Sequence, residues 1–200
     1  MHRPKKVVVN KKRSVYTYSE LWHASNCVLK SGIENPTGCS WQFLSSILLT
    51  AFSFEAYLNH VGQRTIKCWE QLERLPPWSK FELLCESLEI TFPDGTGKRP
   101  LQTVTKLLDF RNTIAHGKSL EIVANPETRD VNDNLDHYLG QRTLTSWEEM
   151  IQTKDFPERV REDVKLVITN IHDARKDEKE HLFTMGMQFY SATLAQESRS

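Results

Sequence analysis

Ser40–Thr65, SWQFLSSILLTAFSFEAYLNHVGQRT, is the stretch that decides the fold. At about 100° per residue, its apolar side chains form two stripes. One holds Phe43, Ile47, Phe54, Tyr57 and Val61, the other Leu44, Leu48, Ala51, Phe52 and Leu58. A helix apolar over so much of its circumference belongs inside a bundle of other helices. Its serines and Glu55 make it too polar for a membrane span. Between Trp41 and Gln63, histidine aside, Glu55 is the one acidic or basic residue, and it lies in the second stripe. An inward carboxylate needs a partner, because an unpaired buried charge is very costly.

The flanking segments repeat the helical period. Ser19 suits the N-cap of a helix running to about Lys30, and Gly32, Asn35, Pro36 and Gly38 then punctuate the chain. Pro76-Pro77 ends one segment and opens another, in which Trp78, Phe81, Leu84, Cys85 and Leu88 recur at helical spacing. Pro100 suits the first turn of the next helix, Leu101, Val104, Leu107, Leu108 and Ala115 form its apolar face, and Gly117 its C-terminal cap. Pro157 opens a last long helix with Val160, Val164, Val167, Ile168 and Ile171 on one side. Its charged end, Asp173 to Glu180, is expected to project into water.

Residues 118–145 break this pattern. Ser119 to Ala124 suits a strand, and Asn125-Pro126 and Asn132 to Asn134 are loop signals. The expected architecture is therefore all-α, a bundle of four to five helices over residues 18–182, with a small non-helical excursion, such as a hairpin, at about 118–145. A basic arm, residues 1–17, precedes the bundle, carrying Arg3, Lys5, Lys6, Lys11, Lys12 and Arg13 around Val7-Val8-Val9. It reads as a solvated arm with room for a short edge strand, ahead of an arm that touches RNA phosphates. A tail, residues 183–200, follows; Phe183 to Tyr190 is apolar enough to fold back as a strand or helix turn, and the final ten residues look frayed.

Composition narrows the function classes. Lys plus Arg equals Asp plus Glu, 26 each, which argues against coating nucleic acid through bulk charge and leaves room for a local basic patch. Cys27, Cys39, Cys68 and Cys85 form no Cys-x-x-Cys pair and read as reduced thiols of an intracellular protein. Met1 to Asn10 has no signal-peptide core, so the cytoplasm is the default expectation, with no membrane partner. Asp94-Gly95-Thr96-Gly97-Lys98 lacks P-loop spacing, no zinc or calcium pattern appears, and no nucleophile elbow is present. No cofactor or metal is expected.

The chemistry concentrates at Arg111-Asn112-Thr113-Ile114-Ala115-His116-Gly117. Arg111 follows Val104 by seven residues, so it falls on the apolar face and is expected to meet Glu55 or to share its polar pocket. Such a pair fixes helix register, and it can also aim the guanidinium. Asn112 and His116 are i, i+4 neighbours on an adjacent stripe. A guanidinium holds phosphate in a fixed fork, and an imidazole exchanges a proton near neutral pH. Together they are a minimal kit for cutting RNA without a metal. His23, His60 and His172 read as surface or packing residues.

Phe110-Arg111-Asn112-Thr113-Ile114-Ala115-His116-Gly117 resembles the signature of the HEPN family, the "higher eukaryote and prokaryote nucleotide-binding" helical domains. Phe52-Ser53-Phe54-Glu55-Ala56-Tyr57-Leu58-Asn59 resembles the helix that precedes the signature there, and Pro77-Trp78-Ser79-Lys80-Phe81 is similar to the opening of the intervening helix. The resemblance spans roughly residues 40–117, with the 157–180 helix as a fourth member. It implies a helical bundle that dimerises with two motif helices facing across a two-fold axis. For the catalytic members it implies metal-independent RNA cleavage, with Arg111 and His116 as the catalytic pair and Asn112 at a polar position beside them. The partners it implies are an RNA substrate, a second copy, and an antitoxin or regulatory protein, as for a toxin or antiviral effector. Some relatives carry an adenylylated tyrosine two residues after the histidine; here that residue is Lys118. The alternatives are a non-catalytic nucleotide- or RNA-binding or scaffolding module, and a helical protein in which Glu55 and Arg111 are only a structural pair.

Overall fold

The computed structural model describes residues 6–123, 128, 142–175 and 181–194. Its elements are β1 (Val7–Arg13), α1 (Thr17–Glu34), α2 (Ser40–Thr65), α3 (Trp69–Leu72), α4 (Pro77–Ser87), a 3-10 turn (Gly95–Gly97), α5 (Leu101–Ala115), α6 (Ser146–Met150), α7 (Asp155–Ala174) and β2 (Gln188–Leu194).

Helix α2 has the bounds its periodicity predicts and packs against α1, α3, α4, α5 and α7. Ile47, Phe54, Tyr57, Leu58 and Val61 are wholly buried on it. Ser46, Thr50 and Ser53 face α1. The Ser25 hydroxyl lies 2.7 Å from that of Thr50 and donates to the Ser46 carbonyl at 2.9 Å, and Ser53 donates to the Tyr18 carbonyl at 2.7 Å. Small hydroxyl residues bring two helices close while satisfying their own polar atoms. Gly62, near the end of α2, makes room for Trp69 of α3: a Cβ there would stand 2.2 Å from the indole.

The apolar faces of α5 and α7 close the core through Val104, Leu107, Val160, Val164, Val167, Ile168 and Ile171. Arg99 fastens the approach to α5 onto α7: its Nε donates to Asp163 at 2.8 Å and a terminal nitrogen at 2.9 Å. That carboxylate, with its hydrogen bonds leading and its charge adding, raises the Arg99 pKa.

Several expectations need correction. The fold is mostly helical but not all-α, because β1 and β2 pair as an antiparallel ribbon from Val7↔Leu194 to Arg13↔Gln188. The basic arm and the tail are thus one element, and residues 191–194 are strand rather than frayed; 195–200 lie outside the described residues. Helix α1 starts at Thr17, capped by Tyr16, whose carbonyl accepts from Ser19 and Glu20; Ser19 is buried in the first turn. It continues through Gly32, where a Cβ would press on Phe43 at 3.0 Å.

Ser119 to Val123 forms no strand; Leu120, Ile122 and Val123 are exposed there, and the β1–β2 sheet does not include them. The hairpin expected within 118–145 falls largely on 124–127 and 129–141, outside the described residues. Helix α6 was not expected. Gly117 does not adopt the left-handed conformation, so His116 itself caps α5. In the charged end of the last helix Asp173 is exposed, as expected, but Arg175 at the C-cap is buried, and 176–180 lie outside the described residues. No described helix is long and apolar enough to cross a membrane.

Candidate functional site

The site forms where α2, α4 and α5 meet. Glu55 projects from α2 and shares its carboxylate between two cations. Its Oε1 accepts from Lys80 Nζ of α4 at 3.0 Å, and its Oε2 accepts from a terminal nitrogen of Arg111 of α5 at 3.1 Å. The expected contact between Glu55 and Arg111 is therefore made. The other terminal nitrogen of Arg111 donates to Asn112 Oδ1 at 3.0 Å. The guanidinium carbon lies 5.8 Å from the centre of the Phe52 ring, which is 42% exposed.

Burial grades across this chain. The Lys80 side chain is 1% exposed, while Glu55 and Arg111 are 23% and 25% exposed. Lys80 and Arg111 each carry one positive charge and Glu55 one negative, so the triad holds a net charge of +1. A guanidinium has five N–H donors. Arg111 commits two of them to Glu55 and Asn112, which leaves the rest for a ligand at a half-buried rim.

His116 stands at the exposed C-cap of α5, where its backbone N–H donates to the Asn112 carbonyl at 2.9 Å. Its imidazole forms no hydrogen bond with Glu55, Arg111 or Asn112. The structure thus joins three of the four expected site residues by direct bonds and sets the fourth one turn beyond Asn112. Two open hollows, of about 300 and 370 Å³, lie elsewhere; Glu55, Arg111, Asn112 and His116 line neither.

Lys80 is the member that sequence reasoning missed. The available signal was phase: Lys80 precedes the buried Leu84 by four residues, the same argument that turned Arg111 inward. Among the described residues, no group of three or more His, Cys, Asp or Glu side chains is arranged to hold a metal ion. Compared with known proteins, the chain matches no family model, no curated protein and no solved structure.

Proposed function

We propose that this protein is a metal-independent endoribonuclease of HEPN type, acting as a homodimer in the manner of a toxin or antiviral effector. One observation carries the reading: a guanidinium, held at a half-buried rim by Glu55 and Asn112, sits on the same helix end as an exposed imidazole. Arg111 binds the scissile phosphate and stabilises the charge that develops on it. His116 takes the proton from the ribose 2′-hydroxyl, or gives one to the leaving 5′-oxygen. The 2′-oxygen attacks phosphorus, the bond to the 5′-oxygen breaks, and that oxygen leaves protonated. The products are a 2′,3′-cyclic phosphate and a 5′-hydroxyl. Asn112 holds a phosphate oxygen or orients the imidazole.

A second copy is part of this proposal. One chain offers one imidazole, whereas the reaction uses a base and an acid. Two motif helices across a two-fold axis would supply both and would close the open rim into a cleft. An antitoxin or regulatory protein that covers the rim would hold such an enzyme off.

The lack of a side-chain bond between His116 and Arg111 favours a second reading, a nucleotide- or RNA-binding or scaffolding module that does not cut. Wild type, Arg111→Ala and His116→Ala, each incubated with total RNA and a chelator, separate the two. The nuclease reading expects fragments ending in 2′,3′-cyclic phosphate from wild type alone. Cleavage that survives both substitutions, or stops with the chelator, rules it out. A gel shift of intact RNA supports the binding module.

A further inference from the structure

We propose that Lys80 is a positioning residue: by occupying one oxygen of Glu55, it leaves the charge of Arg111 uncompensated and the arginine free to receive a phosphodiester. The proposal rests on Arg111 as a phosphate-binding group, and it assigns the residue that makes the arginine available.

A carboxylate facing a guanidinium tends to accept two parallel N–H bonds, which consume two donors and neutralise both charges. Lys80 stands in the way. Its ammonium holds Oε1 at 3.0 Å, so Arg111 bonds only to Oε2, at 3.1 Å. Glu55 takes one donor and Asn112 a second, which together aim the fork, and the other three stay available.

The charge balance follows. With Lys80 the triad is +1, which matches the single negative charge of a phosphodiester; without it the Glu55–Arg111 pair is neutral. Because the Lys80 side chain is 1% exposed, it acts through Glu55 and through its field rather than by touching a polymer. An apolar residue of similar volume would pack there without the cost of desolvating an ammonium. A buried cation that leaves the rim with excess charge is what an anion site requires.

The test uses a 2′-O-methyl oligouridylate, which lacks the attacking hydroxyl and so reports binding without cleavage. Its affinity is measured by fluorescence anisotropy at fixed low salt for wild type, Lys80→Met, the double variant Glu55→Gln/Lys80→Met, and Arg111→Ala. Thermal unfolding of each establishes its folded state. The double variant buries no charge at these two positions, so it keeps a fold in which Arg111 again supplies +1.

The expected result is a loss of roughly tenfold for Lys80→Met, recovery toward wild type in the double variant, and the weakest binding for Arg111→Ala. A merely structural lysine would lower affinity only in step with the melting temperature, whereas the charge role lowers it at a temperature at which Lys80→Met is fully folded. Wild-type affinity in Lys80→Met, or a double variant as weak as the single, overturns the proposal. If Arg111→Ala binds like wild type, the phosphate role of Arg111 falls with it. If the order holds while wild type leaves RNA uncut, the nuclease reading fails alone and the charge role of Lys80 stands.

Discussion

At the scale of single residues, the polar triad contributes stability as well as chemistry. Glu55 is the counter-ion of an ammonium that has almost no water, and removing one partner of a buried pair leaves an uncompensated charge. Glu55→Ala should therefore cost about 3 kcal/mol, measured by urea unfolding; a loss below roughly 1 kcal/mol would mean that Lys80 finds another acceptor. A second prediction concerns thiols. Burial, with Glu82 nearby, pushes the Cys85 thiol up to about 11, so little thiolate exists at neutral pH. Iodoacetamide should label the exposed Cys27 and Cys68 first and Cys85 last, followed by peptide mass spectrometry; equal rates would contradict the burial argument. Glu55 and Arg111 were legible because a lone charge on an apolar helical phase has to be paired. Lys80 was not, because a lysine normally extends its ammonium to water, and only the seating of α4 on α2 denies it that route.

At the scale of elements, periodicity located the five longer helices because each buries one continuous apolar face. It failed where local chemistry decides. Helix α6 spans five residues, too short to show a period, and its signal is the capping box Thr145-x-x-Glu148. The Thr145 backbone N–H and hydroxyl both donate to Glu148 at 2.8 Å, and Arg142 pairs with the same carboxylate. These donors, the backbone one foremost, hold the Glu148 pKa below its ordinary value. A carboxylate lowered by folding stabilises the fold fully above its unfolded pKa, and that contribution disappears as pH falls through the lowered folded value. Acidification through that window should thus lower the amide protection factors across α6, corrected for intrinsic exchange at each pH, and Glu148→Gln should remove this acid-dependent step. Identical pH profiles for the two proteins would show that the box does not hold the helix.

At the scale of the whole molecule, sequence patterns left room for a strand at each end and hid the pairing that joins the two into a ribbon. β1 is rich in lysine and reads as solvated, and its partner comes from the opposite end of the chain. Non-local pairing of this kind leaves no trace in a short window. The Ser14 N–H donates to the Met187 carbonyl at 3.0 Å, which extends the ribbon, and Phe183 ties it to the bundle by stacking on Trp22 with ring centres 4.5 Å apart. His23 adds a bond to the Phe183 carbonyl at 2.8 Å. Gly186 sits at this junction with φ +76°, and a Cβ there would stand 2.2 Å from the Ser14 carbonyl oxygen. Gly186→Ala should abolish amide protection in Val7–Arg13 and Gln188–Leu194 while helical circular dichroism persists. Retained protection would mean that the backbone adjusts around the methyl group. The register also sets how the molecule answers tension. A pull applied beyond Val7 and beyond Leu194 meets the rungs singly and opens them like a zip toward Arg13 and Gln188. The helices take up load only after the last rung parts, so the ribbon serves as a mechanical fuse that spares the bundle at low force.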